Sequence, residues 1–472
     1  MEARCDMGGN RDSISLAGQL ACVVHELGQG LDLLSLHRLD PVRYPHLLQS
    51  SAQGRFDILF AFPEASLTLD ASGTLSGPDP AEVAKGDFLQ GLDHWCQALQ
   101  LKSPRHTSLP FTGGWFVYLG YELAGQIEPS LHLPGPQGAL PVAIATRFAS
   151  AVIYDHDKDS SCIVTEAACA DRVDDIRRDI AALPRSDAAA EPGALDGDIS
   201  EAPADDYLDA VKRIHDYIRE GDVFQVNLSR PWDVAARDGV DVPDLYSRLC
   251  QHNPAPFSGI ARWDQAAIIS SSPERLVRVS GRTVETRPIA GTRPRSRSRQ
   301  ADTAYSEELM AHPKERAEHI MLIDLERNDL GRISVPGSVQ VDEFMVLESY
   351  AHVHHIVSNV RGELRPDVTP GQVIAAVFPG GTITGCPKVR CMEIIAELEG
   401  EAREAYTGSM GYINRDGSMD LNILIRTMTV EGDRIRLRAG AGIVADSVPE
   451  AELEETRAKA RGLLRALGVA AA

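Results

Sequence analysis

The 472-residue chain has no C-x-x-C pair, and its eight cysteines (Cys5, Cys22, Cys96, Cys162, Cys169, Cys250, Cys386, Cys391) are scattered. Their spacing argues against a zinc ribbon or a thioredoxin-like centre and leaves reduced thiols as the expectation. Positive charge is scarce: 47 Lys and Arg face 68 Asp and Glu, for a formal net charge of -21. Such a balance speaks against broad contact with nucleic acid or an anionic membrane. No window reaches the ~18 apolar residues of a membrane span. The opening MEARCD lacks the basic n-region of a signal peptide. The expectation is a cytoplasmic protein with no nucleic-acid and no membrane partner.

What is present fits a folded α/β chain, with 43% hydrophobic and 24% charged residues. Residues 184–206, PRSDAAAEPGALDGDISEAPADD, are rich in Ala, Pro, Gly and Asp and predict a linker or long loop. A boundary near residue 200 then divides an N-terminal region, 1–195, from a C-terminal region, 200–472. Before it lie β-like runs such as FDILFAF (56–62) and SAVIY (150–154). After it, Leu208, Val211, Ile214 and Ile218 recur at helical spacing.

Two later stretches predict helices with carboxylates three residues apart, hence on one face. Residues 311–329 carry Glu315 and Glu318, with Pro313 expected at the helix start; residues 447–460 carry Glu452 and Glu455. Facing each other, the two pairs would cage a hard cation, Mg2+ or Ca2+. Taken singly, each is better read as a solvated face, and Glu455 with Lys459 as a surface pair. In the second helix Ser447 is the expected N-cap, Pro449 lies in the first turn, Glu450 closes a capping box, and Gly468 suits the C-terminal cap.

Other segments bear on ligands. FPGGTITGCPK (378–388) has phosphate-loop glycine spacing, but Cys386, Pro387 and Lys388 stand where Gly-Lys-Ser/Thr is required. What is left is a glycine-rich turn before a helix, either a carboxylate site or a plain tight turn. AGAG (439–442) is expected to end a strand and lets a ligand approach the backbone, or serves close packing. Arg426 follows a strand-like run, and if buried needs an anion or a structural partner. His354 and His355 lie in a β-like run, where a core role is the common one.

In order, SPE (272–274), RPIAGTRPR (287–295), KERAEHIMLIDLERND (314–329), VHHIVS (353–358), FPGGTITGCPKVRCMEI (378–394) and the stretches 406–426 and 438–459 resemble the chorismate-utilising enzymes. Weaker similarity covers 44–63 and 110–122. The resemblance implies an α/β fold with a large two-layered β-sandwich core, flanked by helices and intertwined with the N-terminal region. It also implies Mg2+-dependent chemistry on chorismate. Glu318 and Glu455 match the metal ligands, and Glu315 and Glu452 a second pair that holds water on the metal. Glu274 matches the general acid for the C4 hydroxyl, and His355 the histidine at the ring edge. Gly291, Thr292, Tyr406, Arg426, Gly440, Ala441, Gly442 and Lys459 match the groups that grip the substrate.

Gln225, in FQVNLSR, stands where isochorismate and salicylate synthases carry a lysine base. Glutamine takes no proton from water, so the sequence is similar to the ammonia-using branch, whose members work with a glutamine amidotransferase. FPGGTITG and PAPFS (254–258) resemble aminodeoxychorismate synthases, the expected assignment. PIAGT, with Ala290 in place of the lysine found in several of those enzymes, resembles anthranilate synthases, the alternative. A reading of another class is a non-catalytic, tryptophan-binding regulatory subunit. LLQS (47–50) resembles a tryptophan-pocket motif, with Ser50 as the candidate contact and Gln49 in place of its glutamate.

Overall fold

The computed structural model describes residues 22–28, 30–52, 54–78, 86–101, 108–184, 197–237, 239–296, 298–349 and 353–468. Among them, 21 strands form one continuous curled sheet, and eleven α-helices accompany it. Neighbouring strands run antiparallel, as in the long pair Phe56–Leu69 with Ala143–Asp155.

Side-chain alternation explains the layering, because successive residues of a strand face opposite sides. Ile58, Phe60, Phe116, Tyr118, Ala151, Ile153 and Ile268 meet in one core drawn mainly from strands. Their immediate neighbours point the other way. Leu59, Val152 and Ile269 pack with Leu245, Leu249 and Leu463 of helices. Val117 joins Phe88, Leu92, Val373 and Ile374, also helical. Strand layers thus enclose one core while helices cover their outer faces, as the resemblance implied. Strands from before and after residue 200 are interleaved: His46–Gln49 pairs with Phe257–Arg262, and Gly114–Leu119 with Ser409–Asn414.

Some sequence expectations are corrected. Residues 185–196 lie outside the described residues, but the rest of the expected linker is ordered. Gly197–Glu201 is a strand paired with the end of Gln225–Ala236. This edge strand is mostly exposed, so its polar composition reads like a loop. The helix Ala204–Glu220 follows, burying Val211 and Ile214 as its periodicity required. AGAG does not end a strand but lies inside Arg434–Ile443. Arg426 comes after the strand Met419–Asn422, in a bend with φ +54 before Thr427–Glu431. Ser447 is not the N-cap of the last helix, Pro449–Ala466. Proline takes the first helical position, so the cap falls on Val448, whose side chain makes no capping bond. The Ser447 hydroxyl instead accepts from the Val444 N–H at 3.1 Å. Gly468 does follow the helix end, with φ +86.

Candidate active site

The strand Gln225–Ala236 forms the floor of the site. Its first residues pair on one side with Gly385–Cys386 and on the other with Arg434–Ile443, placing Asn227 opposite Gly442 and Ser229 opposite Gly440. The glycines are required by close approach. A Cβ at Gly442 would lie 2.2 Å from Gln225 Nε2, and one at Gly440 2.9 Å from the Tyr406 hydroxyl. Ala441 between them points into a helix-covered core instead, packed with Leu453.

The helix Pro313–Gly331 enters from above, with Pro313 in its first turn and His312 as the N-cap. Glu318 Oε1 accepts from Gln225 Nε2 at 2.7 Å. Burial pushes the Glu318 carboxyl up, and the nearby charges of Glu315 and Glu455 add to this. Glu315 pairs with Arg293 at 3.2 Å. Glu455, on the last helix, pairs with Lys459 at 2.7 Å, and Lys459 Nζ also donates to the Gly440 carbonyl at 2.9 Å. Glu452, one turn earlier, is half-buried, and its field reaches Tyr207.

Among the described residues no three His, Cys, Asp or Glu side chains converge as a ready metal cluster. Arg293, Gln225 and Lys459 each engage one of the four carboxylates: Glu315, Glu318 and Glu455 respectively. The donors are all hard oxygens, and Glu318 lies within the field of two like groups, Glu315 and Glu455. A hard divalent cation fits that chemistry.

Glu274 sits on the opposite wall, after the strand Ala267–Ser272. Its backbone is fixed by the Ser272 hydroxyl and by the Ile423 N–H. Its carboxyl accepts from the Thr382 hydroxyl at 2.7 Å. Burial, more than any other cause, pushes it up to about 8, so it carries a proton at neutral pH. His355 lies on Val353–Glu363, its Nδ1 3.4 Å from the Gly291 carbonyl oxygen. Burial brings it down to about 4, leaving the imidazole neutral. Gly291 forms an irregularity in the strand Ile289–Pro294 with φ +69, and a Cβ there would lie 2.8 Å from Glu315 Oε2. The Thr292 backbone pairs with His355, while its side chain lies outside the described residues.

Arg426 completes the constellation. Its guanidinium is desolvated, which lowers its pKa, and it feels Tyr406, Glu455 and Glu274. It makes no ion pair and no side-chain hydrogen bond among the described residues. A buried guanidinium beside a tyrosine and a neutral carboxylic acid has the chemistry to receive a carboxylate. Tyr406 is held from behind by Arg403, 5.6 Å from its ring centroid. Arg403 is itself fixed by Glu399, which also binds Arg438.

Sequence reading missed several of these supports. Thr382 was visible only as a hydroxyl following two glycines. Glu326 lies eight residues beyond Glu318, a spacing that keeps it on the same helix face. The glycine-rich turn, read as a carboxylate site or a plain tight turn, lies against two of the protein's own carboxyls: Thr382 donates to Glu274, and Gly381 packs beside Glu326. Ser50 is not in this site. It lines a separate cavity of about 670 Å³, and its hydroxyl already bonds Gly54 N and Ala52 O.

The sequence profile of the family described as chorismate binding enzyme matches residues 44–465. The chain belongs to this family. It is 39% identical to aminodeoxychorismate synthase component 1 of Bacillus subtilis (strain 168), over 92% of this chain and 94% of that one. It is 49% identical to anthranilate synthase component 1 of Aquifex aeolicus (strain VF5), over 56% of this chain and 53% of that one. The crystal structure of anthranilate synthase component I from Streptococcus pneumoniae TIGR4 superposes with a TM-score of 0.77 at 33% identity, covering 87% and 92% of the two chains. The protein is a chorismate-utilising enzyme. Among the described residues no helix is long and apolar enough to cross a membrane.

Proposed function

We propose that the protein aminates chorismate to 4-amino-4-deoxychorismate in a Mg2+-dependent reaction. Ammonia comes from a partner glutamine amidotransferase, and the product serves para-aminobenzoate and folate biosynthesis. The observation that carries the choice of nucleophile is Gln225. Its amide reaches Glu318 at 2.7 Å and offers no base to activate water. Ammonia carries its own lone pair and needs no such base.

Arg426, Tyr406 and Lys459 receive the substrate's carboxylates. Glu274, protonated by burial, donates its proton to the C4 hydroxyl, which leaves as water. The nitrogen then bonded to the ring sheds a proton, and the Glu274 carboxylate takes it back. His355 is neutral and packs at the ring edge. Glu318 and Glu455, with Glu315 and Glu452 behind them, would hold Mg2+, which when bound supplies Lewis-acid stabilisation at the ring carboxylate. The likeness of TITG and PAPFS to aminodeoxychorismate synthases supports the product, as does the Bacillus subtilis relative.

Ala290 favours a second reading, anthranilate synthase component I, in which the amine ends at C2 and pyruvate is eliminated. Mass spectrometry of the product from chorismate, Mg2+ and ammonium salt tests the choice. Retention of the enolpyruvyl group is expected. Fluorescent anthranilate as the main product, without added lyase, would transfer the assignment to the second reading.

A further inference from the structure

The helix Pro313–Gly331 carries two carboxylates beyond those near its first turn. Glu326 lies eight residues past Glu318, about 12 Å along the axis, and Asp329 follows one turn later. Neither belongs to the metal or substrate set, yet Glu326 is 7% and Asp329 3% exposed. Burying two carboxyls is costly unless they are held and used.

The loop between residues 378 and 388 joins them to the acid Glu274. Gly381 lies directly against Glu326. A Cβ at Gly381 would stand 3.2 Å from Glu326 Oε1 and 2.4 Å from Leu325 Cδ2, so the backbone lies directly on the helix. The next residue, Thr382, donates to Glu274 at 2.7 Å. Consecutive residues of one turn therefore meet Glu326 on one side and Glu274 on the other. Lys388 ties down the far end of the loop, its Nζ 2.5 Å from Asp329 Oδ2 and 3.3 Å from the Val377 carbonyl.

We propose that Glu326 is a positioning residue for the reaction: set across the Gly381–Thr382 turn, its negative charge keeps Glu274 in the proton-carrying form. The proposal rests on the reading of Glu274 as the acid. The charged groups facing Glu274 act in two senses. Lys459 and Arg426 favour its ionised form, whereas burial and Glu326 favour the protonated one. Burial first and then Asp329 push Glu326 up to about 7, while Lys388 promotes its ionisation, so Glu326 carries its charge over the alkaline range in which Glu274 titrates. Lys388 so preserves the charge that acts on Glu274.

Chorismate consumption, followed across pH with saturating Mg2+ and ammonium, tests this whichever product forms. Glu326→Gln keeps the size and shape of the side chain beside Gly381 and removes the charge. Glu274 then ionises more easily, and the alkaline limb of kcat should move to lower pH by roughly 0.5–1 unit, with KM unchanged. Glu326→Asp keeps the charge one methylene further back and should move the limb less in the same direction; it serves if the glutamine variant fails to fold. A lower kcat with an unmoved alkaline limb in the folded variants would overturn the proposal and leave a structural role. Infrared titration of the resting protein gives a readout without turnover. The carboxylic acid band lost in Glu274→Gln should titrate at lower pH in Glu326→Gln. Wild type that consumes no chorismate would sink the functional reading, while the infrared comparison would still decide this one.

Discussion

At the scale of single residues, the site separates two carboxyl roles by surroundings. Glu274 is walled in and keeps its proton; Glu318 accepts from an amide and faces like charges. The Thr382 hydroxyl acts on Glu274 against burial, because its hydrogen bond favours the ionised form. Thr382→Val should therefore raise the Glu274 pKa and move the alkaline limb of the pH–rate profile upward, opposite in sign to removing Glu326. A profile measured on chorismate consumption checks this, and an unmoved limb would contradict it. For the metal, hard-ion affinity follows ligand charge. Glu318→Gln should weaken Mg2+ binding by more than roughly tenfold, the scale already set by losing outer contacts. Calorimetry with chorismate present measures it, and unchanged affinity in both Glu318→Gln and Glu455→Gln would reject these ligands.

At the scale of elements, the strand irregularity at Gly291 couples His355 to the carboxylate helix. Gly291 has a positive φ, its carbonyl faces His355 Nδ1, and its missing Cβ leaves room for Glu315 and Leu309. Gly291→Ala should cost about 1–3 kcal/mol through backbone strain alone. It should also raise the KM for chorismate and weaken Mg2+ binding by displacing Glu315. Thermal unfolding and Mg2+ titration check the two parts. Such elements were unequally legible in the sequence. The carboxylate helices were readable because helical spacing and a leading proline depend only on local residues. Gly440 and Gly442 were readable as close-approach glycines, but not as mid-strand residues, because their pairing with residues 227–229 spans about half the chain. The partners of the four glutamates were not legible. Spacing shows which carboxylates share a face, but not that Arg293, Gln225 and Lys459 hold three of them. Gly197–Glu201 was lost to composition, since an exposed edge strand has little apolar alternation to display. Thr382 and Glu326 matter through contacts across the fold, and no local pattern marks them.

At the scale of the whole molecule, the chain contains no G-x-C-x-G segment of a glutaminase nucleophile. The isolated protein is expected to use ammonium but not glutamine, and robust glutamine-dependent turnover without a partner would contradict this. Buried titratable groups also set how its stability depends on pH. Burial raises Glu274 to about 8, and Glu122 and Glu326 each to about 7, all above their ordinary value of 4.5. The folded state thus holds protons that the unfolded chain gives up from pH 4.5 onward, so these three groups remove stability as pH rises toward 8. Four buried histidines act in the opposite direction. His37, His319 and His355 fall to about 4 and His46 to about 3, from 6.5. The unfolded chain binds protons there first, so stability drops as pH falls below 6.5. Between pH 4.5 and 6.5 the two sets oppose each other; above 6.5 only the carboxyls act. Their combined effect is a Tm that changes little just below pH 6.5 and declines from there to pH 8. Glu274→Gln removes one of the three proton-holding groups. It should raise Tm relative to wild type at pH 8, with a smaller difference at pH 5, even though it abolishes turnover. Calorimetric scans at the two pH values decide it: an equal Tm difference at both would mean that Glu274 does not hold its proton in the folded protein, and the acid would have to be sought elsewhere in the site.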